Sequence, residues 1–217
     1  MVKVKICGNQ NKEDVGATSG ADAVGFIVSA PESSREVSLD SASQLIDRTT
    51  PFTNTVVVTT ESDPKELGRL VQTTKPNLLQ VHTLLHPNQL KNIRKKTAET
   101  TDLITLLPVG EKKAKALEEA RKLAGSGADA LVLDSKTGES TGGTGETHDW
   151  SISRQIRDAL HPFPVILAGG LDPDNVGKAI SQVRPYGVDV ASGVEIDGKK
   201  SNRKIEEFLR EVREIAA

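Results

Sequence analysis

The 217-residue sequence holds a single cysteine, so no internal disulfide can form, and a lone thiol suits a reducing compartment better than an oxidising one. Aromatic residues make up only 3% of the chain, and the formal net charge is −2 with no basic block. Base stacking and attraction to a phosphate backbone therefore have no evident source, and no nucleic acid partner is expected. No segment approaches the roughly 18 apolar residues that cross a bilayer, so no membrane span is expected either. The stretch Met1-Val2-Lys3-Val4-Lys5 breaks its apolar residues with lysines, unlike a signal peptide, which points to the cytoplasm. His82 and His148 stand in no metal-binding spacing, no cysteine cluster exists, and no metal is expected.

What is present is alternation. Short aliphatic runs at Val2–Cys7, Asp22–Val28, Thr55–Thr59, Leu78–His82, Asp102–Pro108, Ala128–Asp134, Pro164–Ala168 and Gly187–Val190 read as strands. The nearly continuous apolar runs suit parallel strands buried on both faces. Between and after them, helices are expected from Asn11, Leu39, Asp63-Pro64, Pro87, Lys112, Trp150, Pro173 and Lys204, the third with Asp63 as an N-cap followed by Pro at the first helical position. Eight such units at roughly 27 residues each match the count and size of a single (β/α)8 barrel, a TIM barrel spanning residues 1–217. An open doubly wound sheet is the alternative, but its first turn would read G-x-G-x-x-G, and Cys7-Gly8-Asn9-Gln10 does not.

In such barrels the functional face lies at the C-terminal ends of the strands. Polar residues expected there are Cys7, Arg35, His82, Asp134, Gly169-Gly170 and Ser192-Gly193. Each has two readings. Cys7 is either a small buried hydrophobe or a thiol held for use. Asp134, ending an apolar run, is either a loop cap or an acid. Arg35 is either a solvated loop charge or a fork for a ligand carboxylate. The glycines are ordinary turns or, at the two loops that usually form it, a phosphate cup built from backbone N–H groups. The loop from Ser135 to His148, about 14 residues with Gly142, Gly143 and Gly145, is longer than an ordinary connection and reads as a lid.

The segments Val4-Lys5-Ile6-Cys7-Gly8, Gly20-Ala21-Asp22-Ala23-Val24-Gly25-Phe26, Ser34-Arg35, Leu133-Asp134-Ser135 and Gly142-Gly143-Thr144-Gly145 carry a resemblance, as do Asp149-Trp150, Leu167 to Val176 and Arg184 to Glu195. In order and spacing, along essentially the whole chain, they resemble the phosphoribosylanthranilate isomerases of tryptophan biosynthesis. The resemblance implies a cofactor-free Amadori rearrangement of a phosphosugar substrate, with Asp134 as general acid and Cys7 as general base. It also implies Arg35 on the anthranilate carboxylate, Gly169, Gly170, Ser192 and Gly193 on the phosphate, and His82 and Asp189 beside the substrate. The protein would be a monomer or homodimer. The chain departs from the family pattern at Asn9, Gln10, Glu36, Thr83 and Ala191. Two other functions compete. A histidine-pathway or dual-substrate aminoaldose isomerase would need a second glycine-rich cup after strands three and four, where the chain reads Thr59-Thr60-Glu61 and His82-Thr83-Leu84. A non-catalytic phosphosugar-binding barrel would need neither Cys7 nor Asp134.

Overall fold

A computed structural model describes residues 1–97, 100–110, 113–137, 140–141 and 148–215. The barrel strands are β1 (Lys3–Ile6), β2 (Ala23–Ile27), β3 (Asn54–Thr59), β4 (Leu78–Val81), β5 (Asp102–Val109), β6 (Ala130–Thr137), β7 (Val165–Leu167) and β8 (Gly187–Val190). They alternate with α1 (Lys12–Ala17), α2 (Leu39–Ile46), α3 (Pro64–Thr74), α4 (Pro87–Arg94), α5 (Lys113–Ala124), α6 (Trp150–Leu160), α7 (Val176–Val183) and α8 (Asn202–Ile215). Every strand pairs in parallel with the next, and β8 returns to pair with β1, with Lys5 opposite Asp189 and Ile6 opposite Val190. That last pairing closes the ring and excludes the open sheet.

Strand side chains alternate between the two faces, and the alternation sorts the chemistry. Val4, Ile6, Val188 and Val190 point outward into a cluster with Val176, Ile180 and Phe208 of the covering helices. Lys5, Cys7 and Asp189, on the opposite faces of the same strands, point inward. On β6 the outward set is Leu131 and Leu133, and the inward set is Ala130, Val132 and Asp134. The barrel floor is thus aliphatic, filled by Ile104, Leu106, Ala130 and Val132, while its mouth is polar. The expected cap at Asp63 is present, accepting backbone N–H groups with Pro64 following, and Asn11 and Asp149 likewise each accept a backbone N–H with a side-chain oxygen. The α8 stripe Ile205, Phe208, Leu209 and Val212 is buried.

Three boundaries differ from expectation. Pro173 does not open α7, because Asp172 Oδ1 first accepts from the Asp174 and Asn175 N–H groups, holding a turn that delays the helix to Val176. β6 runs past Asp134 to Thr137 and pairs antiparallel with Ser140–Thr141, so the segment expected as loop from Ser135 begins as strand. The expected lid glycines Gly142, Gly143 and Gly145 lie outside the described residues. After β8 comes an unexpected hairpin, Glu195–Ile196 against Lys199–Lys200. Its turn is Asp197-Gly198, with φ of 51° and 74°, the paired positive values a tight two-residue hairpin requires.

Candidate active site

A cavity of about 770 Å3 opens at the C-terminal mouth of the barrel. Cys7, Arg35, His82, Asp134, Gly169, Gly170, Asp189 and Ser192 line it, gathering residues spread over most of the chain onto one surface. Gly193 does not line it. A Cβ there would overlap the Leu171 carbonyl oxygen, so this glycine lets the loop after β8 press against the loop after β7. Ser192–Val194 then turn as one short 3-10 segment. Gly169 and Gly170 take φ of 85° and 65°, and a Cβ on Gly169 would stand 2.6 Å from Asp134 Oδ1. A bare backbone is therefore required beside the carboxylate.

Asp134 is 7% exposed. Its Oδ1 accepts from the Ser135 N–H at 2.7 Å, and its Oδ2 lies 3.4 Å from His82 Nε2. The loop-cap contact thus leaves the second oxygen of the side chain turned toward the cavity residue His82. His82 Nδ1 in turn meets Gln80 Nε2 at 3.1 Å, which fixes the ring. Below the carboxylate, Ser135 Oγ contacts His148 Nδ1 at 3.2 Å, and His148 Nε2 contacts Ser153 Oγ. Burial lowers the His148 pKa to about 4, although the nearby Asp134 and Asp149 charges pull the other way.

Cys7 is 7% exposed, seated where Gly25 on β2 leaves room: a Cβ there would come within 2.9 Å of Sγ. Burial pushes the thiol above its ordinary value, and Asp189 pushes the same way. Lys5 and Lys200 pull it down. The Lys5 ammonium is itself buried, 2.6 Å from Asp189 Oδ2. Burial opposes its charge, yet Asp189 and Cys7 together hold its pKa above the ordinary lysine value.

Arg35 sits differently from a free carboxylate fork. Its Nε and Nη2 donate to both oxygens of Glu195 at 2.7–3.1 Å, and Nη1 stands outside that fork. Burial raises the Glu195 pKa, but hydrogen bonds from Arg35 and Lys200 outweigh it and hold the carboxyl below its ordinary range. Lys200 Nζ donates to Glu195 Oε1, to the Cys7 carbonyl at 2.6 Å and to the Ala191 carbonyl at 3.2 Å, bracing β1 against β8. Lys5, Glu195 and Lys200 escaped sequence reasoning. Asp197-Gly198 between two dipeptides was a readable hairpin signal for the last two; a lysine inside an aliphatic strand was the only sign of the first.

The departures at Asn9, Gln10 and Glu36 are structural. Asn9, fully buried, donates to the Ile6 and Gly25 carbonyls and accepts from Thr18 Oγ1. Gln10 donates to the Ser34 carbonyl, and Glu36 accepts from the Ala30 N–H. All three tie the β1 and β2 loops rather than entering the cavity. Nothing in the structure explains Thr83. Among the described residues no group of three or more His, Cys, Asp or Glu is placed to hold a metal ion, and no helix is long and apolar enough to cross a membrane.

Fold and site together define a (β/α)8 barrel enzyme with a thiol and a carboxyl at its mouth and glycine loops after its last two strands. The chain belongs to the N-(5'-phosphoribosyl)anthranilate isomerase family, whose model matches residues 4–211. It is 42% identical to that isomerase from Methanosarcina acetivorans, over 97% of this chain and 93% of the relative. Against the crystal structure of the Thermotoga maritima isomerase it reaches a TM-score of 0.85 at 33% identity, covering 99% of this chain and all of the other. A further isomerase structure, 31% identical with a TM-score of 0.81, covers 99% of this chain and all of that one, and is a complex with reduced 1-(o-carboxyphenylamino)-1-deoxyribulose 5-phosphate.

Proposed function

We propose that this chain converts N-(5'-phosphoribosyl)anthranilate to 1-(2-carboxyphenylamino)-1-deoxyribulose 5-phosphate in tryptophan biosynthesis, with Asp134 as general acid and Cys7 as general base. The observation that carries this reading is the single cavity in which that carboxyl and that thiol meet glycine loops suited to a phosphate, in a chain of this family. Asp134 gives a proton to the furanose oxygen as the C1–O bond breaks, and the nitrogen lone pair forms the iminium. Cys7 then takes the C2 proton, leaving an enaminol. Proton return to C1 and loss of the 2-hydroxyl proton complete the ketose, so the reaction has no net redox change.

The glycine backbone at 169–170 and the turn at Ser192, with Gly193 beneath it, would hold the phosphate. Nη1 of Arg35, outside the Glu195 fork, would meet the anthranilate carboxylate, with His82 and Asp189 beside the sugar. The loop after β3 disfavours a second phosphate. After β3, the Ser62 and Asp63 N–H groups that a second phosphate would need already donate to Glu61 Oε1, and a carboxylate there repels an anion. A buried working thiol also favours a reducing cytoplasm.

Cys7→Ser and Asp134→Asn are each expected to lower turnover by about two to four orders of magnitude with the circular dichroism spectrum unchanged. Wild-type turnover in either variant removes that residue's role. A fluorescence assay offering phosphoribosylanthranilate and, separately, the bis-phosphorylated aminoaldose of histidine synthesis tests the substrate. Turnover of the first is expected; turnover of the second alone rejects the reading.

A further inference from the structure

We propose that Lys5 is a positioning residue for the Cys7 base: clamped on Asp189, its ammonium holds a positive charge beside the thiol against which the thiolate forms. This rests on the reading of Cys7 as the base. Three observations point to it. Lys5 and Cys7 stand two residues apart on the inward face of β1, and the register of β1 with β8 sets Lys5 opposite Asp189. Lys5 Nζ lies 2.6 Å from Asp189 Oδ2 and its charge bears on the Cys7 thiol, although the residue is only 5% exposed. Gly25 opens the space that both side chains share, since a Cβ there would stand 3.2 Å from Lys5 Cε as well as close to Sγ.

A buried ammonium is costly unless something requires it. Neutralising Asp189 could be the whole reason, but Asp189 is itself arranged asymmetrically. Its Oδ2 is taken by Lys5, while its buried Oδ1 has no partner among the described residues and the side chain lines the cavity. Lys5 thus has two effects on the site. It opposes the burial and the Asp189 charge that keep Cys7 a thiol, and it fixes Asp189 with one oxygen available to a hydroxyl donor. The charged groups that bear on Cys7 are Lys5 from its own strand, Asp189 from β8, Lys200 from the hairpin and Arg35 from the loop after β2.

The test uses the one cysteine of the chain, whose thiolate absorbs near 240 nm, with the spectrum of Cys7→Ser subtracted to remove Tyr186. Lys5→Met alone leaves Asp189 buried and unpaired and risks unfolding, so the comparison is between Asp189→Asn and the double variant Lys5→Met with Asp189→Asn, which removes both charges at similar volume. Each is checked by urea unfolding. If Lys5 acts on the thiol, Cys7 in Asp189→Asn titrates below wild type, and in the double variant at least one pH unit above Asp189→Asn, a tenfold loss of thiolate at a given pH below the midpoint. Coincident titration in the two variants overturns the proposal and leaves Lys5 as a counterion to Asp189 alone. The base reading fails separately, by wild-type turnover in Cys7→Ser, whatever the titrations give.

Discussion

As the proposed base, Cys7 combines two demands that oppose each other. A base for a carbon acid must be ionised, and burial disfavours ionisation. In this site burial has the larger effect and the thiol is raised. The rising limb of kcat/KM should therefore lie alkaline of an ordinary thiol near pH 8.5, because activity requires the thiolate and the site favours the thiol. A pH profile measured with phosphoribosylanthranilate checks this, and a plateau already reached by about pH 7 contradicts it. Asp134 shows the same economy of placement, one oxygen on the Ser135 N–H and the other turned toward His82. Neither environment could be read from composition, since Asp189 and Lys200 approach Cys7 only through strand register and through a hairpin that lies almost 200 residues away.

The hairpin Glu195–Lys200 is the element that decides the rim of the site. It sends Lys200 under the Cys7 carbonyl and Glu195 to the Arg35 guanidinium, so its turn governs where two charges stand. Gly198 has φ of 74° with open space where a Cβ would go. Gly198→Val should accordingly act through backbone strain alone, costing about 1–2 kcal/mol, with no clash to relieve. A lower urea midpoint together with a raised KM is the expected pair of results; an unchanged midpoint would show that the turn tolerates a branched side chain. The turn was legible in Asp197-Gly198, yet what it carries was not. A two-residue turn predicts that chains reverse, whereas the partners of Glu195 and Lys200 come from the first two strands of the barrel.

Across the whole molecule, acid stability depends on groups that the fold holds in one charge state. His148 bridges Ser135 at the end of β6 to Ser153 of α6, and burial lowers its pKa from 6.5 to about 4. Below pH 6.5 the unfolded chain takes up a proton that the folded one refuses, so stability falls as pH drops toward 4, by roughly 1 kcal/mol per unit for a partly exposed group. Glu195, held below its ordinary range, adds a loss at more acid pH. His148→Gln keeps a hydrogen-bonding side chain but cannot titrate. Its urea midpoint should fall less than wild type between pH 6.5 and 4, and a parallel fall would assign the acid sensitivity elsewhere. The sequence by itself determined the eight alternating units, the Asp63 cap and the strand-end position of Cys7, because period and turn chemistry are local. Only the tertiary structure decided that the sheet closes, that β6 continues past Asp134, that Asp189 and Lys200 stand beside Cys7 and that Glu195 pairs with Arg35. Those facts depend on which strands lie side by side and in what register, and a barrel makes neighbours of its first and last strands, the pair that the linear chain separates most.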